Sequence, residues 1–99
     1  MKVDGSWALV IDSPMGKQKV IITLKEEAGQ LTGTLLSKSN KMTTDLFDGG
    51  VVGGELTWKA ELQLMDVTLT FNTAVEDDVM SGKVNADLFG NFNLSGHRV

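Results

Sequence analysis

Gly5-Ser6-Trp7-Ala8-Leu9-Val10-Ile11-Asp12 is the stretch whose reading decides the fold. Trp7, Leu9 and Ile11 alternate with Ala8, Val10 and Asp12. A period of two sends successive side chains to opposite faces, one dry and one wet, as in an antiparallel strand with a covered side. The same period recurs outward from this stretch. Val20, Ile22 and Leu24 alternate with Lys19, Ile21, Thr23 and Lys25, and Leu31, Gly33 and Leu35 with Thr32 and Thr34. The longest run sets Leu56, Trp58, Ala60, Leu62 and Leu64 against Thr57, Lys59, Glu61 and Gln63. Val67-Leu69-Phe71, Met80-Gly82-Val84-Ala86 and Phe92-Leu94-Gly96 complete the series. No stretch sustains the i, i+3, i+4 apolar spacing of a helix.

Turn signals separate the runs: Ser13-Pro14-Met15-Gly16, Glu26-Glu27-Ala28-Gly29, Lys38-Ser39-Asn40-Lys41, Gly53-Gly54, Gln63 to Asp66, Glu76-Asp77-Asp78 and Phe89-Gly90-Asn91. Gly53-Gly54 is the sharpest, because a two-residue hairpin needs positive φ at its centre. Asp48-Gly49-Gly50 lies inside a run and reads as a bulge or bend. The spacing predicts an all-β chain of about eight strands. The halves echo each other. Trp7, Val20 to Leu24 and Leu31-Thr32-Gly33 recur as Trp58, Val67 to Phe71 and Met80-Ser81-Gly82, and Asp45-Leu46-Phe47 as Asp87-Leu88-Phe89. Two four-strand halves close most simply as an antiparallel up-and-down barrel.

Gly5-Ser6-Trp7 at the start of the first strand, with Arg98 on the last, resembles the calycins, the lipocalins and their relatives. The resemblance implies a lipocalin-like small barrel in which first and last strands are neighbours. Trp7 and Arg98 then stack across the seam and close one end, a contact worth about 1–2 kcal/mol when partly desolvated. The chain departs from lipocalins in being shorter, with no helix to pack on the barrel, no Cys pair and no secretory leader at Met1 to Gly5. It also lacks the helical lid of fatty-acid-binding relatives.

In an up-and-down barrel alternate turns fall on opposite rims. One rim collects Glu26-Glu27, Glu55, Glu76-Asp77-Asp78 and both termini, and is acidic. The other collects Pro14, Met15, Leu64, Met65, Leu88 and Phe89. Large apolar residues at turn tips either fold inward as a cap or mark an entrance or interface. The inward face carries Trp7, Leu9, Ile11, Val20, Ile22, Leu24, Leu31, Leu35, Leu56, Trp58, Leu62, Val67, Leu69, Phe71, Met80, Val84, Phe92 and Leu94. Gly33, Gly82, Gly96, Ala60 and Ala86 share it. An eight-stranded barrel is just wide enough to be filled by side chains or to hold one small ligand.

The chain has 99 residues, enough for one barrel domain, and a net charge of −4. Its lysines are scattered, which argues against nucleic acid as a partner. No basic amphipathic helix or long apolar run points to a membrane. There is no Cys, which suits a cytoplasmic location, and the lone His97 falls on the outward face. With no His or Cys cluster, a nitrogen- or sulfur-ligated metal is excluded and no cofactor is implied. Gly49-Gly50 and Gly53-Gly54 lack the Lys-Ser/Thr of a phosphate loop. Inward polar groups are few. Thr44 is one, and Asp45 or Asp48 becomes another if the Gly49 bulge shifts the parity. A carboxyl turned into an apolar barrel is desolvated and can shuttle a proton.

Three functions follow. The first is binding of a small apolar or aromatic molecule, lined by Trp7, Leu9, Ile11, Met15, Ile22, Leu35, Trp58, Leu62, Met65, Leu69, Phe71, Met80, Phe89 and Phe92. The second is a cyclase, isomerase or lyase that works by confinement, with Asp45 or Asp48 as its acid–base group. The third is a homodimer joined through the apolar rim, two-fold pairing being the commonest closed arrangement.

Overall fold

The alternating runs become strands that pair in the order the chain lays them down. A computed structural model describes residues 3–14, 16–38, 41–62, 67–87 and 90–99. The strands are β1 (Gly5–Ser13), β2 (Gly16–Glu27), β3 (Gln30–Ser37), β4 (Thr43–Asp45), β5 (Phe47–Val52), β6 (Glu55–Leu62), β7 (Val67–Glu76), β8 (Val79–Asn85) and β9 (Asn91–Arg98). Every pairing is antiparallel, and each strand pairs with the next in sequence except β4 with β5. β4 and β5 both pair with β3 and form one strand broken at Leu46. The ring closes where β1 pairs with β9 from Trp7↔Arg98 to Asp12↔Asn93. The result is the expected all-β, eight-stranded antiparallel up-and-down barrel, four strands from each half of the chain. Among the described residues no helix is long and apolar enough to cross a membrane.

The expected bend is a bulge with a defined position. Phe47 pairs with Lys59 and Gly50 with Thr57, so Asp48 and Gly49 together face the single residue Trp58. Asp48 takes a φ of 50° to make the extra step. Bulges of this kind re-aim side chains and interrupt a ladder.

The inward glycines are the other irregularity. A Cβ on Gly33 would run into the carbonyl of Thr23, on Gly82 into that of Asn72, on Gly96 into that of Ala8 and on Gly49 into that of Leu31. Each therefore marks a close crossing of neighbouring strands, and backbone takes the space a side chain would fill. These residues do not hollow the barrel. They let eight short strands coil tightly around it.

One rim is fastened shut. The Arg98 guanidinium lies 4.3 Å from the centre of the Trp7 ring. Its Nη1 donates to the Asp4 carbonyl at 2.6 Å and its Nε to Asp78 Oδ1 at 3.1 Å. Trp7 Nε1 donates to the Val3 carbonyl at 3.1 Å, and the Glu26 amide donates to Asp4 Oδ1 at 2.8 Å. Val3 and Asp4 are thereby drawn across the acidic end, and Val3 is buried.

Candidate functional site

The barrel interior is graded along its axis. Trp7, Ile22, Leu56, Trp58, Phe71 and Met80 have no exposed surface at all. Zero exposure leaves no water-sized space against any of these side chains. Leu9, Leu24, Leu31 and Val84 are nearly as closed. The lower and middle barrel is therefore a packed core, with Trp58 stacked on Phe71 at 5.4 Å between ring centres. Cross-strand neighbours such as Trp7↔Ile22 and Trp58↔Phe71 stand side by side on its wall.

Among the core residues, exposure collects towards the rim formed by the β1–β2, β3–β4, β6–β7 and β8–β9 turns. Ile11, Val20, Leu46, Val67, Leu69 and Ala86 keep 5–8% of their surface open. Phe92 is only half-buried against the same core. Two alanines lie on the inward wall here. Ala60 follows Trp58 on the same face of β6 and pairs with Leu69; Ala86 follows Val84 just past β8. Ala60 is as closed as Leu9 and Val84, so residual exposure on this side begins with Leu69 and Ala86. The half-buried Val51 and Val75, paired with Leu56 and Met80, lie towards the opposite, fastened end.

Trp58 is the electrostatic anomaly of this floor. Among the described residues the other buried polar side chains are satisfied. Thr73 Oγ1 donates to the Leu56 carbonyl at 3.2 Å, and Trp7 Nε1 to Val3. Trp58 Nε1 is fully buried and has no acceptor. A buried donor left unpaired costs about 1–3 kcal/mol. The position four residues before Trp7 supplies the acceptor for its indole. Four residues before Trp58 lies Gly54, in the tight turn, and no such bond forms there.

The sequence-derived residues sort as follows. Trp7, Leu9, Ile22, Trp58, Phe71 and Met80 come together as the packed core. Ile11, Leu35 and Leu69 line the inward wall nearer the rim opposite Arg98, with Phe92 at its edge. Met15, Met65 and Phe89 lie outside the described residues, as do Leu64 and Leu88. For Leu62 only the backbone, paired with Val67, is described. Asp45 and Asp48 are both exposed, and Asp48 sits 3.9 Å from Lys59 on the outer surface. The bulge thus turns Asp48 to solvent, because an inward carboxylate would lose its hydration with no partner among the aliphatic side chains. Thr44 is half-buried. Val3, Leu46 and Thr73 are buried residues that the alternation does not single out. Val3 precedes the first run, Leu46 sits at a break, and Thr73 is polar.

No family model and no curated protein matches this chain. Among solved structures it is similar to a mutant of the fluorescent protein UnaG, with a TM-score of 0.63 and 10% identity over 98% of this chain and 96% of that one. At that identity the likeness concerns the fold alone, and it agrees with the lipocalin-like, calycin-type barrel expected from Gly5-Ser6-Trp7 and Arg98.

Proposed function

We propose that the barrel is a shallow cup that binds one small apolar or aromatic molecule at its open end, above Trp58 and Phe71. The observation that carries this reading is the concentration of residual exposure on Ile11, Val20, Leu46, Val67, Leu69 and Ala86 over a fully closed floor. An apolar wall partly open to water releases that water to a ligand of matching surface, at about 25 cal/mol per Å² covered. The opposite end is cross-tied through Arg98, so entry is from the open rim.

The test is equilibrium dialysis of naphthalene-based probes, followed in parallel by tryptophan emission. Saturable binding is expected in the wild type and loss of it in Ala86→Phe, whose ring fills the mouth, with far-UV circular dichroism unchanged. Absence of saturable binding by any apolar probe would sink the reading.

A second reading, pairing of two copies through the open rim, is favoured by the exposure of Pro14 and Met42 there. Sedimentation of the wild type against Met42→Glu separates the two: a dimer that dissociates in the variant supports pairing, and monomers in both samples remove it.

A further inference from the structure

We infer that the barrel has a side gate, a seam in its wall between β4 and β6 through which the ligand of the cup reaches the interior. The inference rests on the cup reading above and adds the route of entry to it. The other junctions of the ring are held by ladders of paired residues, including the closing pair of β1 and β9. β5 pairs with β6 from Val52↔Glu55 to Phe47↔Lys59, and there the pairing stops. β4, the continuation of β5, comes within 8 Å of β6. Among the described residues it pairs only with β3. The Leu46 amide donates to the Gly33 carbonyl at 2.9 Å, so it is turned to β3. Backbone groups alternate sides along an antiparallel strand. Those of Asp45 are therefore turned to β6, where no ladder receives them among the described residues.

Two features keep the seam from zipping. The register of Phe47↔Lys59, carried two residues further, sets Asp45 opposite Glu61. Both are exposed carboxylates, and like charges directly opposite each other destabilise a strand pair. The bulge at Asp48 and Gly49 lies just below, and bulges bend a strand where its pairing ends. Leu46, in the break between β4 and β5, belongs to the core and keeps 8% of its surface open. The interior needs such an opening, because its side chains are too closed for an apolar molecule to reach them while the wall stands still. Parting any laddered pair of strands breaks its hydrogen bonds, whereas parting β4 from β6 breaks no ladder. Local opening favours the least costly place. Outward movement of β4 with Leu46 opens the wall from the rim opposite Arg98 down to the bulge. A gate of this kind changes entry and exit rates together and leaves the equilibrium constant where it was.

The chain has no Cys, so Asp45→Cys with Glu61→Cys gives one disulfide across the seam. Prodan, a neutral naphthyl ketone whose emission reports its surroundings, is mixed with the protein by stopped flow. Oxidation is expected to slow its association and dissociation about tenfold with an unchanged dissociation constant, and dithiothreitol to restore both rates. Thr57→Cys with Asn72→Cys, a pair already joined in the β6–β7 ladder, is expected to leave the rates as in the wild type. Amide hydrogen exchange without ligand gives a second readout. Asp45 is expected to exchange about tenfold faster than Leu46. Glu61→Lys, which sets opposite charges across the seam, should slow Asp45 and leave Leu46 unchanged. Saturable prodan binding at equal rates with the seam bridged or open overturns the inference and leaves the cup standing. So does protection at Asp45 equal to that at Leu46, or failure of the two cysteines to cross-link. No saturable binding by the wild type removes the cup, and the gate with it.

Discussion

Replacing Arg98 by Met removes the cross-tie at the fastened end while keeping an unbranched stem against Trp7. The side chain is 29% exposed, so its contacts are partly shielded from solvent. Its bond from Nη1 to the Asp4 carbonyl, at 2.6 Å, is charge-assisted and is worth about 1.5–3 kcal/mol. The guanidinium over the Trp7 ring adds about 0.5–2 kcal/mol. The Asp78 pair adds little, about 0.2–1 kcal/mol, because that carboxylate is largely in water. These contacts share one side chain and do not sum independently, so the expected loss is about 2–4 kcal/mol. For a chain of this size that lowers Tm by about 10–20 °C. Urea unfolding followed by tryptophan emission should show a lower midpoint with an unchanged slope. The loss should be local in origin. Once Asp4 is released, the Glu26 amide loses its acceptor, and its hydrogen exchange should accelerate well before that of Ile22 or Leu9 in the core. A loss below about 0.5 kcal/mol, or protection at Glu26 equal to the wild type, would refute the cross-tie argument.

Other positions give independent checks. Gly82→Ala drives a methyl into the Asn72 carbonyl and to 2.7 Å from Thr73 Cα, so a loss of about 1–3 kcal/mol is expected by chemical denaturation. Phe71→Ala empties space under Trp58 and removes its stacking partner, for an expected loss of about 3–5 kcal/mol in the same assay. The variant should also red-shift the tryptophan emission. The pair Asp45→Asn and Asp48→Asn is expected to change stability by less than about 0.5 kcal/mol and to leave probe affinity unaltered, both side chains being outside the barrel. A large loss of affinity there would return a carboxylate to the site.

What the sequence determined by itself is everything that a period of two can express. Trp7, Leu9 and Ile11 on one face, and Trp58, Leu69, Phe71 and Met80 on the matching faces of other strands, are read directly because strand geometry alternates side chains regardless of what they later meet. The antiparallel order, the two rims and the neighbouring of Trp7 and Arg98 follow once hairpins link successive strands. Tertiary structure decided how much room is left inside. That depends on how closely strands cross, and the crossings are set by backbone contacts of Gly33, Gly49, Gly82 and Gly96 with carbonyls of neighbouring strands. It also decided that Asp48 points to water and that Trp58, alone among the described buried polar side chains, lacks a partner. Trp7 and Trp58 look alike in sequence, yet only the first has a strand end passing over it to accept its proton. Alternation records which face a residue joins; whether that face is full, and whether each polar atom on it is matched, emerges only when the ring has closed.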